Sequence, residues 1–166
     1  MEVTLFIGID PGLQGGLAAL PGSTKIEPRA IIMPVTAGET CPRGILDFLR
    51  HYAGICPPYQ ILCILEWAQA MPKQGITSTF GYGCGWGMIR ACLVACNIPH
   101  ILARPTTWKK VVLADTKKDK EAACGVAHRL YPTINLRRTP ACTIDHDGMA
   151  DAVCLAIFAA TPRNIT

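Results

Sequence analysis

The sequence predicts a single α/β domain. Three observations carry this: short apolar runs of strand length recur along the chain, segments with helical spacing lie between and after them, and half of the 166 residues are hydrophobic while 17% are charged. A chain of this length buries one ordinary core with helices on a sheet. Its composition is that of a folded globule rather than a disordered tail. No repeat, low-complexity tract or interdomain linker divides it, so residues 1–166 are read as one domain.

Taken in order, Val3 to Ile9 reads as a buried strand, Pro11-Gly12-Leu13-Gln14-Gly15-Gly16 as a tight turn, and Leu17 to Leu20 as the start of a returning strand. The chain thus opens with a hairpin. Ala30 to Pro34 fits a third strand, and Pro42 to Tyr52 a helix with Ile45, Leu46 and Leu49 at helical spacing. Ile61 to Leu65 is a wholly apolar strand with Glu66 at its carboxyl end, where open α/β sheets collect ligands. A long helix from about Thr77 to Asn97 follows, with Thr77 or Ser78 as N-cap. Gly81, Gly83, Gly85 and Gly87 weaken that helix, since each costs about 1 kcal/mol relative to alanine in a helix interior. The same small residues permit close backbone approach to a partner. Pro99 to Ala103 reads as a short strand, Asp119 to Tyr131 as a helix, and His146 to Ala160 as the last helix.

Several classes are disfavoured. The N-terminus lacks the basic stretch, apolar run and cleavage site of a signal peptide, and no window reaches the roughly 18 apolar residues of a spanning helix. The expectation is a soluble, unexported protein. Nine cysteines are an odd number, no C-x-x-C pair occurs, and the nearest two, Cys92 and Cys96, fall four apart on a predicted helix. They read as buried free thiols acting as small hydrophobes, which implies a reducing compartment.

Four acids hold the chemistry. Asp10 and Glu66 end apolar strand patterns, and Asp147 and Asp151 lie one helical turn apart on one face of the last helix. Like charges at that spacing destabilise a bare helix, unless a cation sits between them or the helix N-terminal dipole offsets the cost. Carboxylates delivered from strand ends and a helix face are what hard divalent cations need, because Mg²⁺ takes oxygen ligands in near-octahedral geometry. The set points to a metal-dependent phosphodiesterase. Singly, each acid has a plainer reading: Asp10-Pro11-Gly12 could start a hairpin turn or a nucleotide-phosphate loop, and Glu66 could cap its strand at the surface. The net charge is +4. Basic residues crowd the second half, at Lys109, Lys110, Lys117, Lys118, Lys120, Arg129, Arg137 and Arg138. An acidic pit in a basic surface suits a polyanionic substrate near metal ions, although a lysine run alone fits a solvated loop.

The order Ile7-Gly8-Ile9-Asp10-Pro11-Gly12 with Gly15-Gly16-Leu17-Ala18, a strand-terminal Glu66, and His146-Asp147-Gly148-Met149-Ala150-Asp151-Ala152 resembles RuvC-type Holliday-junction resolvases over nearly the whole chain. Ala70-Met71-Pro72-Lys73-Gln74-Gly75 and Pro105-Thr106-Thr107-Trp108-Lys109 are similar to the phage, bacterial and chloroplast branch of that family. The resemblance implies an RNase H-like fold, a mixed five-stranded sheet flanked by helices on both faces. It also implies a homodimer that cleaves paired strands of a four-way DNA junction with two Mg²⁺ per active site, for which the same oxygen ligands accept Mn²⁺.

Carried over by position, Asp10, Glu66, Asp147 and Asp151 are the metal-binding carboxylates, with Asp10 bridging both ions and Glu66 and Asp151 supporting one each. One departure stands out. The two late positions are three apart in the longer-known bacterial enzymes, whereas Asp147 and Asp151 are four apart here and His146 lies five before Asp151; Asp147 or His146 supplies the third ligand. His146 is also a candidate to order the attacking water or move its proton, or simply to partner a helix end. The resemblance suggests a lysine beyond Trp108 at the scissile phosphate, for which Lys117, Lys118 and Lys120 qualify, Lys118 being the choice. The expected DNA contacts are Lys73, Gln74, Ser78, Phe80, Lys109, Lys110, Lys117, Lys118 and Lys120. Phe80, Tyr82 and Trp86 are candidates to stack on unpaired bases, with packing the stronger expectation for Trp86. The glycine-bearing helix is expected at the dimer interface. The expected location is cytoplasmic, at a bacterial or phage-infected host nucleoid, or an organellar matrix once a transit peptide is removed. Three rivals remain: a nuclease for RNA–DNA hybrids or flaps, a non-catalytic nucleic-acid-binding module, and a phosphotransferase with Asp10-Pro11-Gly12 as its nucleotide loop.

Overall fold

The computed structural model describes residues 2–69, 75–117 and 121–161. In chain order its strands are β1 (Leu5–Asp10), β2 (Gly16–Pro21), β3 (Arg29–Ile32), β4 (Val35–Thr36), β5 (Glu39–Thr40), β6 (Ile61–Glu66) and β7 (His100–Ala103). Five of them form one sheet in the order β3-β2-β1-β6-β7, while β4 and β5 pair only with each other. The β1–β2 and β2–β3 pairs are antiparallel, and the β1–β6 and β6–β7 pairs are parallel. The mixed five-stranded sheet is thus as expected. Its two central strands carry the acids at the same edge: Asp10 pairs with Gly16 across the hairpin, and Glu66 lies opposite Ala103.

The helices are α1 (Pro42–Ala53), α2 (Ile76–Ala95), α3 (Pro105–Val112), α4 (Ala122–Leu130) and α5 (Asp147–Ala160). Strand side chains alternate between faces, and the core divides accordingly. Leu5, Ile7, Ile9, Leu17, Cys63 and Leu65 pack with Ile45 and Leu49 of α1 and Ile89 and Leu93 of α2. Ala18, Leu20 and Ile64 point the other way, into Trp108 of α3, Val126 of α4 and Val153 and Leu155 of α5. Helices therefore cover both faces, and β6, buried on both, reads as an unbroken apolar run for that reason.

Helix α5 lies unusually close to the sheet. A Cβ on Gly8 of β1 would overlap the carbonyl oxygen of Ala152 and the amide nitrogen of Ala156, and one on Gly148 would overlap the carbonyl oxygen of Gln14 in the hairpin turn. Backbone meets backbone at both ends of the crossing. This seat lays the first turns of α5 beside the carboxyl end of β1.

Three local expectations need correction. The N-cap of α2 is Gly75, extended and without a side-chain cap bond, so the helix begins at Ile76 and Thr77 and Ser78 fall inside its first turn. Helix α3 was not anticipated; its eight residues are too few for a clear period, although Pro105 at the first helical position is a recognised start signal. The β4–β5 hairpin was also unforeseen, and it turns on Ala37 and Gly38, both at positive φ. The beginning of the Asp119–Tyr131 helix lies outside the described residues, and the part described is α4.

Candidate active site

Three of the four predicted acids converge where β1 and β6 end beneath α5. Asp10 and Glu66 are the last residues of adjacent parallel strands, and Asp151 comes down from the second turn of α5. Burial and their mutual repulsion both act on their acidities. Burial, then the charges of Glu66 and Asp151, raise the Asp10 carboxyl from 3.8 to about 7, against a weak lowering by the Gly12 amide, which donates to Oδ1 at 3.5 Å. Burial likewise raises Glu66 and Asp151, the former with help from Asp151, the latter with help from Asp147. A site that holds carboxylates against desolvation and each other's charge is one that a cation relieves.

Glu66 is held by two indoles. Trp108, fully buried, donates its Nε1–H to the Glu66 carboxylate Oε2 at 2.7 Å. Trp86, half-buried on α2, donates to the Glu66 main-chain oxygen at 3.0 Å, so packing rather than base stacking is its observed role. Tyr82 stands on the same side: burial first, then the charges of Glu66 and Asp10, push its phenol up to about 12. Lys109, next to Trp108, places its Nζ 3.6 Å from Asp151 Oδ2 and 5.0 Å from the Trp108 ring centre. From sequence, Lys109 is expected only as a DNA contact and Tyr82 only as a stacking residue; here both stand at the acids. Lys109 follows the tryptophan that reaches Glu66, a neighbourhood that becomes legible only once Trp108 is seen to bond the last residue of β6.

Asp147 is placed differently. It is exposed at the first position of α5, and its charge acts on Asp151 and Cys124, whereas Asp10 and Glu66 respond to Asp151. One turn of helix carries it about 6 Å along the axis from Asp151. His146 is the N-cap of α5, its Nδ1 accepting from the Met149 amide at 3.4 Å, which matches the helix-end reading of that residue. It also lines a surface groove of about 480 Å³ with Leu13, Gln14, Met33 and Arg138.

Of the expected DNA contacts, Ser78 and Phe80 are exposed on the first turns of α2, and Lys109, Lys110 and Lys117 are exposed on or just after α3. Lys73, Gln74, Lys118 and Lys120 lie outside the described residues, as does all of the 70–75 motif but Gly75. Arg104 stacks 5.5 Å from the half-exposed Trp67 ring, directly after Glu66. All nine cysteines are free. No helix among the described residues is long and apolar enough to cross a membrane.

The donor set is the all-oxygen kind that hard divalent cations take. Its oxygens do not yet close around one point: among the described residues no three His, Cys, Asp or Glu side chains are near enough together to hold a metal ion as they stand, and Lys109 supplies the positive charge at Asp151.

The strand order, the hairpin opening and the helices on both faces define an α/β domain of the RNase H-like kind, with an acidic pit at the ends of its central strands. Among solved structures it is similar to Thermus thermophilus RuvC in complex with a Holliday junction substrate, at TM-score 0.65 and 15% identity over 95% of this chain and 93% of that one. A second structure of Thermus thermophilus RuvC matches at TM-score 0.61 and 18% identity, over 94% and 93%. At such identities the likeness is one of fold. No family model matches the chain, and no curated protein sequence does.

Proposed function

We propose that this protein is a structure-selective DNA endonuclease that resolves four-way junctions by paired, metal-dependent phosphodiester hydrolysis. The observation that carries the reading is the convergence of Asp10, Glu66 and Asp151 at the ends of β1 and β6, with Lys109 against Asp151 and exposed basic residues on the adjoining α3. The RuvC fold, solved in one instance with a junction bound, supports the same substrate.

Asp10, Glu66 and Asp151 would hold the divalent ions, two Mg²⁺ or Mn²⁺, with Asp147 as the outlying fourth acid. Bound there, such ions lower the pKa of an attacking water and stabilise the leaving 3′ oxygen. The chain's own groups do the rest. Asp10, raised to about 7, must lose its proton before it can act as a ligand. Trp108 fixes the Glu66 carboxylate from the core side. Lys109, exposed along much of its side chain, can exchange Asp151 for a phosphate oxygen of the substrate. Phosphate contacts from Lys109, Lys110 and Lys117 would position the strand without reading its sequence, which makes binding strongly salt-dependent.

A two-fold homodimer would match the symmetry of the junction and pair the nicks. The outward side of α2 suits that contact: Gly83, Gly87, Ala91 and Ala95 recur every fourth residue, all exposed, flanked by exposed Phe80 and Val94. The test is cleavage of a labelled mobile four-way junction with Mg²⁺, beside linear duplex, flap and RNA–DNA hybrid. Symmetric nicks in the junction alone, reduced to background in Asp10→Asn while junction binding persists, are the expected outcome. Cleavage of the hybrid in preference to the junction would refute junction selectivity and favour a hybrid nuclease of the same fold.

A further inference from the structure

We infer that Trp108 is a positioning residue for the metal site: its indole N–H selects which oxygen of Glu66 is presented to a divalent ion, and so sets the affinity for that ion. This rests on the metal-dependent reading above and goes beyond it, since it assigns a role to a core residue that bears no charge.

The geometry is specific. The Trp108 indole is fully buried, so its only donor must find a partner within the protein or be left unsatisfied. The partner is Glu66 Oε2 at 2.7 Å, a short bond to a carboxylate rather than to a backbone group. That bond engages Oε2 from the core side, so Oε1 is the oxygen that Trp108 does not hold. The Glu66 main chain is clamped independently by the Trp86 indole at 3.0 Å, and the next residue is fixed by the Trp67 amide donating to the Ala103 carbonyl at 2.8 Å. Backbone and carboxylate are thus set from different helices, α2 and α3. The residue after Trp108 reaches the second acid, with Lys109 Nζ at 3.6 Å from Asp151. A single turn of α3 therefore addresses both Glu66 and Asp151, and it is rigidly seated because Trp108 belongs to the core formed with α4 and α5. Groups that hold a metal ligand by its second oxygen raise the precision of the first, and losing them typically lowers metal affinity about 10–100-fold.

Trp108→Phe keeps an aromatic ring in the core and removes the donor together with part of the ring volume. Calorimetric titration with Mn²⁺ should show affinity lower by about 10–100-fold than in the wild type, with the far-ultraviolet dichroism unchanged. A purely structural role would lower the metal-free unfolding temperature and leave the affinity of the folded protein alone. Should Trp108→Phe fail to fold, the wild type decides the matter: the chain has three tryptophans, and in ¹⁵N spectra the indole N–H signal of Trp108 should shift with Mg²⁺ and saturate together with metal binding. A folded Trp108→Phe that binds Mn²⁺ within about twofold of the wild type, or a Trp108 signal unmoved at saturating Mg²⁺, overturns the inference alone. A wild type that binds neither ion overturns it together with the metal-dependent reading.

Discussion

Helices α2 and α5 are both long, apolar and punctuated by small residues, yet they do opposite things. In α5, ten of 14 residues are buried, whereas in α2 only four of 20 are, so similar composition yields a core helix in one case and a half-exposed one in the other. The difference lies in what the small residues meet. Around α5, Gly8 and Gly148 sit where backbone crosses backbone with no room for a methyl group. Along α2 only Gly85 is pressed, against the Thr40 hydroxyl, while Gly81, Gly83 and Gly87 face open space. Small residues in α5's seat bring Asp151 to Asp10. Those on α2 leave a surface free for a second molecule.

The largest way to break this contrast is at the α5 seat. Gly8→Ala forces the helix off β1, and overpacking of that kind costs about 3 kcal/mol, or roughly 6–12 °C in the unfolding midpoint of a chain this size. Calorimetry checks the drop, and metal binding should weaken with it because Asp151 moves away. An unchanged midpoint would mean that the close crossing is not what holds α5.

A second measure addresses the charge that α5 delivers. Asp10 titrates near 7 in the folded protein against 3.8 ordinarily. A raised carboxyl favours the protonated folded state, so its contribution to stability is full below about pH 4 and is lost as pH rises through about 7. The metal-free protein should therefore melt at progressively lower temperature across that window, and Mg²⁺ should restore most at the alkaline end. Asp10→Asn should flatten this part of the profile.

On α2 the expected effects concern assembly rather than folding. Gly87→Glu places a charge within the exposed small-residue stripe; on the proposed homodimer, sedimentation should show a shift to monomer with the fold intact, and the proposed paired nicks should become single ones. The smallest effect belongs to Gly81→Ala. Its Cβ enters open space, and an exposed helix interior gains about 1 kcal/mol from that exchange, visible as roughly 2–4 °C in the midpoint.

Much of this was legible in the chain itself. All five sheet strands, α1, α2 and α5 follow from apolar runs and helical spacing, because burial on one face or both leaves a periodic mark. Asp10 and Glu66 stood out as candidates because each directly ends such a run, and the structure sets both at the ends of adjacent strands. What leaves no periodic mark was not legible. Helix α3 is too short to display a period, and its Trp108 and Lys109 each lie 42 residues from the acid they contact, Glu66 and Asp151. The spacing of Asp147 and Asp151 placed both on one face, and only the structure separates Asp151, whose charge reaches Asp10 and Glu66, from Asp147, left exposed one turn away. Sequence alone determined the α/β class and the order of the five sheet strands and the longer helices, since these depend on local patterning and residue type. The tertiary structure decided which acids converge and which side chains hold them, because distances between elements far apart in the chain are set by packing, here by glycines that let α5 sit directly on the sheet.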